Sequence, residues 1–253
     1  MGTGVAVEIG WPSELYLIRH AESAGNVARE AALASGAHVI DIATRDCDVP
    51  LSELGERQAA ALGRWCARNV EPIDAVMSSP YVRAQETAAI ALRSARWSGV
   101  PIAVDERLRE KEFGMLDRLT RTGIERKFPE QAEMRGLLGK FYYRPPGGES
   151  WTDVILRLRS ALDTARCEHA GKRVAIVTHQ VIVLCARYVL ERMTERQILD
   201  IDHTGDVANC SVTTYRLDPV ANELVLQAYN VVAPMEEAGE PVTHEADVPV
   251  ARG

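Results

Sequence analysis

Three short apolar runs in this 253-residue chain end on residues able to bind an anion or attack phosphorus. Residues 15–18 stop at Arg19-His20, and residues 174–177 stop at Thr178-His179. Residues 73–77 lead into Ser78-Ser79-Pro80, with Arg83 close behind. Each run reads as a buried strand. In an open parallel sheet, ligands bind outside the carboxyl ends of the strands. Two arginines and two histidines brought to one such edge, beside helix N-termini, describe a site for a phosphate or another polyanion. Singly, each residue is as easily a surface cation or a core cap. Together they require four coincidences at one edge.

The sequence also limits the chemistry. Magnesium phosphatases need clustered carboxylates, and none sit at the strand ends. Zinc hydrolases need ligand spacings such as HExxH, which are absent; His38, His169, His203 and His244 are scattered. There is no Walker loop and no GxSxG. Phosphoryl transfer without a metal needs a side-chain nucleophile, and a neutral imidazole qualifies. Neighbouring arginines lower an imidazole's pKa and keep it unprotonated. The same charges stabilise phosphoryl oxygens in the transition state.

The elements that must position these groups alternate. After the first strand, residues 52–69 show helical spacing, with Ser52 as N-cap. The run at 73–77 is a second strand. Ser79-Pro80 predicts the start of a helix ending near Ala95, with Ser79 as its cap. A third strand is expected at Ile102–Val104. Ser150 and Asp153 resemble a capping box for a helix over 150–169, and another helix covers about 180–191. Residues 211–217 and 224–229 alternate as a strand pair. The expected fold is α/β, a three-layer sandwich with a mainly parallel sheet flanked by helices. Residues 1–233 form one domain in this reading. Segment 113–149 holds all three Phe, with Tyr142 and Tyr143, and is slightly basic. It reads as an insertion with a small core of its own, either a lid or a plain helical elaboration. Residues 234–253 are acidic and Pro-bearing, and are expected to be loosely ordered.

Composition sets the outer bounds. The chain is 46% hydrophobic and 26% charged, ordinary for a soluble globular protein and long enough to bury a core unaided. Its net charge of −7 speaks against generic nucleic-acid binding. Cys47, Cys66, Cys167, Cys185 and Cys210 include no CxxC pair and read as reduced thiols, which points to the cytoplasm. Neither a membrane span nor a signal peptide is legible. Edge strands and helix faces can pair in such a fold, so the oligomeric state stays open, a dimer included.

Six ordered blocks resemble the histidine phosphatase superfamily, the cofactor-dependent phosphoglycerate mutase-like group. They are Leu17-Ile18-Arg19-His20-Ala21-Glu22-Ser23 with Asn26, then Leu51 to Ala59, Ser78 to Thr87, Leu108-Arg109-Glu110 through Gly114, Pro146 to Ser150, and Val177-Thr178-His179. The resemblance implies that His20 attacks phosphorus. It implies that Arg19, Arg83 and His179 hold the phosphoryl oxygens, with Ser23 and Asn26 nearby. Glu110 would protonate the leaving oxygen, although Asp105, Glu106 and Glu112 lie close by in sequence. Glu149 would brace a helix rather than touch substrate. The chain departs from the family pattern at Ala21 and Gln180, where glycine is frequent, and Gln180 can reach substrate or a neighbouring loop. Gly25 stands where true mutases carry Trp. The implied activity is a metal-independent phosphatase with no cofactor, acting on a phosphorylated small molecule or phosphoprotein. A mutase, or a non-catalytic phospholigand-binding protein, is the alternative.

Overall fold

The computed structural model of the chain describes residues 10–244. Six strands form one sheet in the order β3-β2-β4-β1-β5-β6. β1 (Glu14–Arg19), β2 (Ala75–Ser78), β3 (Ile102–Val104) and β4 (Arg173–Thr178) are parallel. β5 (Val212–Asp218) and β6 (Glu223–Val231) extend the β1 side as antiparallel strands. The helices of the described residues are α1 (Ala24–Ala34), α2 (Glu53–Asn69), α3 (Val82–Ala95), α4 (Arg121–Lys127), α5 (Pro129–Tyr142), α6 (Trp151–Glu168), α7 (Gln180–Leu190), α8 (Glu195–Thr204) and α9 (Ala233–Glu236).

Strand alternation builds the three layers. Leu15, Leu17, Val174 and Ile176 pack with Trp151, Leu158 and Ile182 of α6 and α7. The intervening Tyr16, Ile18, Ala175 and Val177 pack with Leu62, Ala84 and Ala88 of α2 and α3. Successive side chains point to opposite faces of a strand, so both faces of β1 and β4 are buried. The α/β sandwich expected from the sequence is the fold found.

The caps match the sequence in two places and differ in one. Ser52 caps α2 by accepting from the Gly55 N–H, and Ser150 with Asp153 forms a capping box on α6. Ser79, however, does not cap α3. That helix starts at Val82 after Tyr81, which makes no side-chain cap bond. The Ser79 hydroxyl is instead committed to Tyr81 N–H and to His179.

Segment 113–149 contains α4 and α5. Leu116, Leu119 and Tyr143 gather with Ile124 and Phe128 into a separate small cluster. Phe141 joins the main core instead, 6.2 Å from the Trp151 ring. The loosely ordered tail expected from residue 234 needs correction over 234–244. Met235 is fully buried against the α2 side of the sheet. Glu237 accepts from Trp65 and Arg68, and Glu240 pairs with Arg57. Residues 245–253 lie outside the described residues. All five cysteines are free. Among the described residues, no helix is long and apolar enough to cross a membrane.

Candidate active site

β2, β4 and β1 are neighbours, so their carboxyl ends lie side by side. Backbone pairing continues one residue past the strands. The His20 N–H donates to Thr178 O at 2.8 Å, and the Ser79 N–H donates to Val177 O at 3.0 Å. This ladder brings Arg19, His20, Ser79 and His179 together, all buried. The two imidazole rings are 5.0 Å apart, edge to face.

His20 is held in one tautomer. Its Nδ1 lies 2.7 Å from Ala21 O, a carbonyl that can only accept, so Nδ1 carries the proton. Nε2 is left with a lone pair and receives a long contact from Arg83 Nε–H at 3.3 Å. Burial, then the Arg83 and Arg19 charges, push His20 well below the ordinary imidazole value. The result is a neutral imidazole with an oriented, unprotonated Nε2.

His179 is fixed through Ser79. Ser79 Oγ accepts from Tyr81 N–H at 3.2 Å and shares a hydrogen bond with His179 Nε2 at 2.7 Å. His179 Nδ1 is buried and has no hydrogen-bond partner among the described residues. A buried polar atom left over in this way is one that a ligand can satisfy. His179 is also pushed well down, by burial first and then by Arg83.

Two buried neutral imidazoles make folding acid-sensitive. Below an unfolded-state value of about 6.5 the unfolded chain binds more protons than the native one, so stability falls as pH falls. Each histidine should remove about 1 kcal/mol between pH 6.5 and 5.5. Urea unfolding at both pH values should show a smaller drop for His179→Gln than for wild type. An unchanged drop would mean that His179 is not buried neutral.

The arginines differ in their engagement. Arg83 places Nη1 3.1 Å and Nη2 3.2 Å from the two carboxylate oxygens of Asp46. A carboxylate thus spans its fork, a geometry that two phosphoryl oxygens can adopt. Arg19 Nη1 donates to Gln180 Oε1 at 3.0 Å and to Val207 O. Gln180 donates in turn to Asp206 at 2.9 Å. The glutamine that replaces the frequent glycine therefore steadies Arg19.

These groups meet at a cavity of about 160 Å³. His20, Ser23, Asn26, Arg83, Glu110 and Gln180 line it, whereas Arg19 and His179 do not. Ser23 and Asn26 form the capping box of α1, so part of their hydrogen bonding is local. Glu110 is positioned through its backbone. Arg157 of α6 donates to the carbonyls of Arg107, Arg109 and Glu110, and to Glu149 at 2.8 and 2.9 Å. Glu149 also pairs with Arg109, so it ties this loop to α6, where the sequence suggested a helix cap or brace. Among the described residues, no three His, Cys, Asp or Glu side chains are grouped to hold a metal.

The second sequence block supports the loop after His20. Gln58 accepts from Glu22 N–H at 2.9 Å, and Ser52 donates to Glu22 at 2.6 Å. Gly55 is required because a Cβ there would overlap the Glu22 carbonyl. Gly55→Ala should cost about 1–3 kcal/mol by overpacking and displace the loop. Chemical denaturation would check this; an unchanged midpoint would show that the contact yields freely.

Sequence reasoning missed Tyr81, Asp46, Asn209 and Arg157. Asn209 donates to the His20 carbonyl at 2.9 Å, and Tyr81 packs its ring 5.0 Å from His179. Tyr81 stands beside Ser79 in the third block, a signal that was available. The others are brought in only by tertiary structure.

The model of the histidine phosphatase superfamily (branch 1) matches residues 15–230. A 2,3-bisphosphoglycerate-dependent phosphoglycerate mutase of Methylobacterium radiotolerans is 28% identical over 189 residues, covering 74% of this chain and 83% of the mutase. The structure of Bacillus stearothermophilus YhfR superposes with a TM-score of 0.70 at 27% identity, covering 88% of this chain and 98% of YhfR. A structure titled mycobacterial hydrolase 1 gives 0.65 at 25% identity, covering 87% and 98%. With a family match over nearly the whole described chain, and with Arg19, His20 and His179 meeting at the carboxyl ends of neighbouring strands, this chain belongs to the histidine phosphatase superfamily, branch 1.

Proposed function

We propose that the protein hydrolyses phosphate monoesters through a phosphohistidine on His20, without a metal or cofactor. The observation that carries this reading is the His20 tautomer, with Nδ1 spent on Ala21 O and Nε2 unprotonated beside Arg83. The Nε2 lone pair attacks phosphorus, and the bond to the leaving oxygen breaks. Glu110 gives that oxygen a proton. Arg19, Arg83 and His179 bear the phosphoryl charge, and Ser23, Asn26 and Gln180 line the approach. Water then attacks the phosphohistidine, and Glu110 takes its proton. Inorganic phosphate leaves, and His20 regains its lone pair.

The test is hydrolysis of p-nitrophenyl phosphate with EDTA present. Turnover should persist, and vanadate should inhibit it by taking five-coordinate geometry in the anion site. Activity that EDTA removes and a metal restores would contradict the reading.

A second reading is phosphoryl transfer to another hydroxyl, favoured by the mutase relative. The two readings share every step to the phosphohistidine. Products from 3-phosphoglycerate separate them: free phosphate supports hydrolysis, and 2-phosphoglycerate supports transfer.

A further inference from the structure

The peptide between Ala21 and Glu22 fixes the His20 ring, because its carbonyl takes the Nδ1 proton. The N–H of the same peptide donates to Gln58 Oε1 at 2.9 Å. In a trans peptide the two groups point opposite ways, so Gln58 aims the carbonyl at the imidazole. One peptide earlier, the His20 carbonyl accepts from Asn209 Nδ2 at 2.9 Å. Two side-chain amides thus hold the backbone before and after Ala21. Each works in one orientation only: Gln58 must present its oxygen, and Asn209 its nitrogen.

Residues 241–243 set both orientations. Gln58 Nε2 donates to Pro241 O at 2.9 Å and to Thr243 Oγ1 at 3.0 Å, which leaves its oxygen for Glu22. The Thr243 hydroxyl donates in turn to Asn209 Oδ1 at 3.1 Å, which leaves the Asn209 nitrogen for His20. The Thr243 carbonyl accepts from Asn209 N–H at 2.9 Å. One hydroxyl therefore accepts from one amide and donates to the other. A turned Gln58 amide would set donor against donor at Glu22 and acceptor against acceptor at Pro241. The segment is seated independently of this network, by buried Met235 and by the ion pairs of Glu237 and Glu240. Gln58, Asn209 and Thr243 do not line the cavity and act from behind it.

We propose that Thr243 is a positioning residue for His20, acting through Gln58 and Asn209 from outside the cavity. Its hydroxyl locks the two amides. The amides lock the Ala21–Glu22 peptide and the His20 carbonyl, and these hold Nε2 in line for attack. The link to catalysis rests on the phosphatase reading of His20; the link to the Nδ1 proton stands without it.

The experiment compares wild type with Thr243→Val, which keeps the shape of threonine and lacks the hydroxyl, and with Thr243→Ser, which keeps the hydroxyl. The first readout is kcat/KM for p-nitrophenyl phosphate, which reports the attack on phosphorus. The second is solvent exchange of the His20 Nδ1 proton by NMR, assigned by its loss in His20→Ala. Thr243→Val should lower kcat/KM by about tenfold, the effect of one lost hydrogen bond. It should leave inhibition by inorganic phosphate unchanged, because Arg19 and Arg83 are held by Gln180, Val207 and Asp46. The Nδ1 proton should exchange about tenfold faster, since the carbonyl that holds it is no longer fixed. Thr243→Ser should match wild type in both. In an enzyme that turns over, either change without the other would overturn the proposal, and so would a Thr243→Ser protein as impaired as Thr243→Val. If wild type hydrolyses no ester, the phosphatase reading fails on its own. Proton exchange then decides: faster exchange in Thr243→Val supports the role of Thr243, and unaltered exchange overturns it.

Discussion

Replacing His20 with alanine is expected to lower p-nitrophenyl phosphate turnover by at least about 10³-fold, since loss of a covalent nucleophile removes the whole two-step route. The p-nitrophenolate leaving group needs little acid help, so the loss isolates the attack on phosphorus. The geometry gives the reason. His20 is the buried imidazole with Nδ1 committed to a carbonyl and Nε2 unprotonated in the cavity. His179 has its Nε2 engaged with the Ser79 hydroxyl instead. His20→Ala should still bind inorganic phosphate, because Arg19, Arg83 and His179 remain. Loss of both turnover and phosphate binding would point to a collapsed site, and retained turnover would place the nucleophile elsewhere.

The second large effect is expected at Glu110. Glu110→Gln keeps the size and shape of the side chain but removes its ionisable carboxyl. Esters of aliphatic alcohols should lose about 10²–10⁴-fold in kcat, the range for general acid catalysis. p-Nitrophenyl phosphate should lose far less in the first step. The difference distinguishes Glu110 from its neighbours. Asp105 is tied to Arg107, and Glu112 accepts from the Tyr81 hydroxyl, whereas Glu110 lines the cavity with His20. An equal loss on both classes of ester would assign the acid role to another group.

The main frame was legible because each parallel strand ends on an abrupt change of chemistry. The run at 15–18 sits within β1 at Glu14–Arg19, and the run at 174–177 sits within β4 at Arg173–Thr178. Helices with broad apolar faces, α2 and α6, were equally clear. α1 and α8 were not, since each buries a single residue, Ala32 or Ile198, and has no broad apolar face. The segment after 234 was misread for a related reason. Its anchoring combines a single buried apolar side chain, Met235, with charge, through Glu237 and Glu240 against Arg68 and Arg57 of α2, and hydropathy does not register the charged part.

The site was legible where residues stand at strand ends and illegible where they arrive from elsewhere. Arg19, His20 and His179 could be placed together from strand order alone. Asp46 reaches Arg83 from a 3-10 turn, and Arg157 reaches the Glu110 loop from α6; neither has a local signature. Ser79 shows a different failure. Its sequence context is that of an N-cap, but the hydroxyl is bonded to His179 Nε2 and Tyr81 N–H instead. Local propensity gave way to the requirements of the site.

The most direct measurement is chemical trapping of the intermediate. The enzyme is mixed with a ³²P-labelled phosphate ester in EDTA, quenched in alkali within the first turnover, and digested for peptide mapping. Label that survives base, is lost in acid, maps to the peptide containing His20 and is missing in His20→Ala is the predicted result. Turnover without any trapped label, or label mapped to another residue, would contradict a phosphohistidine on His20.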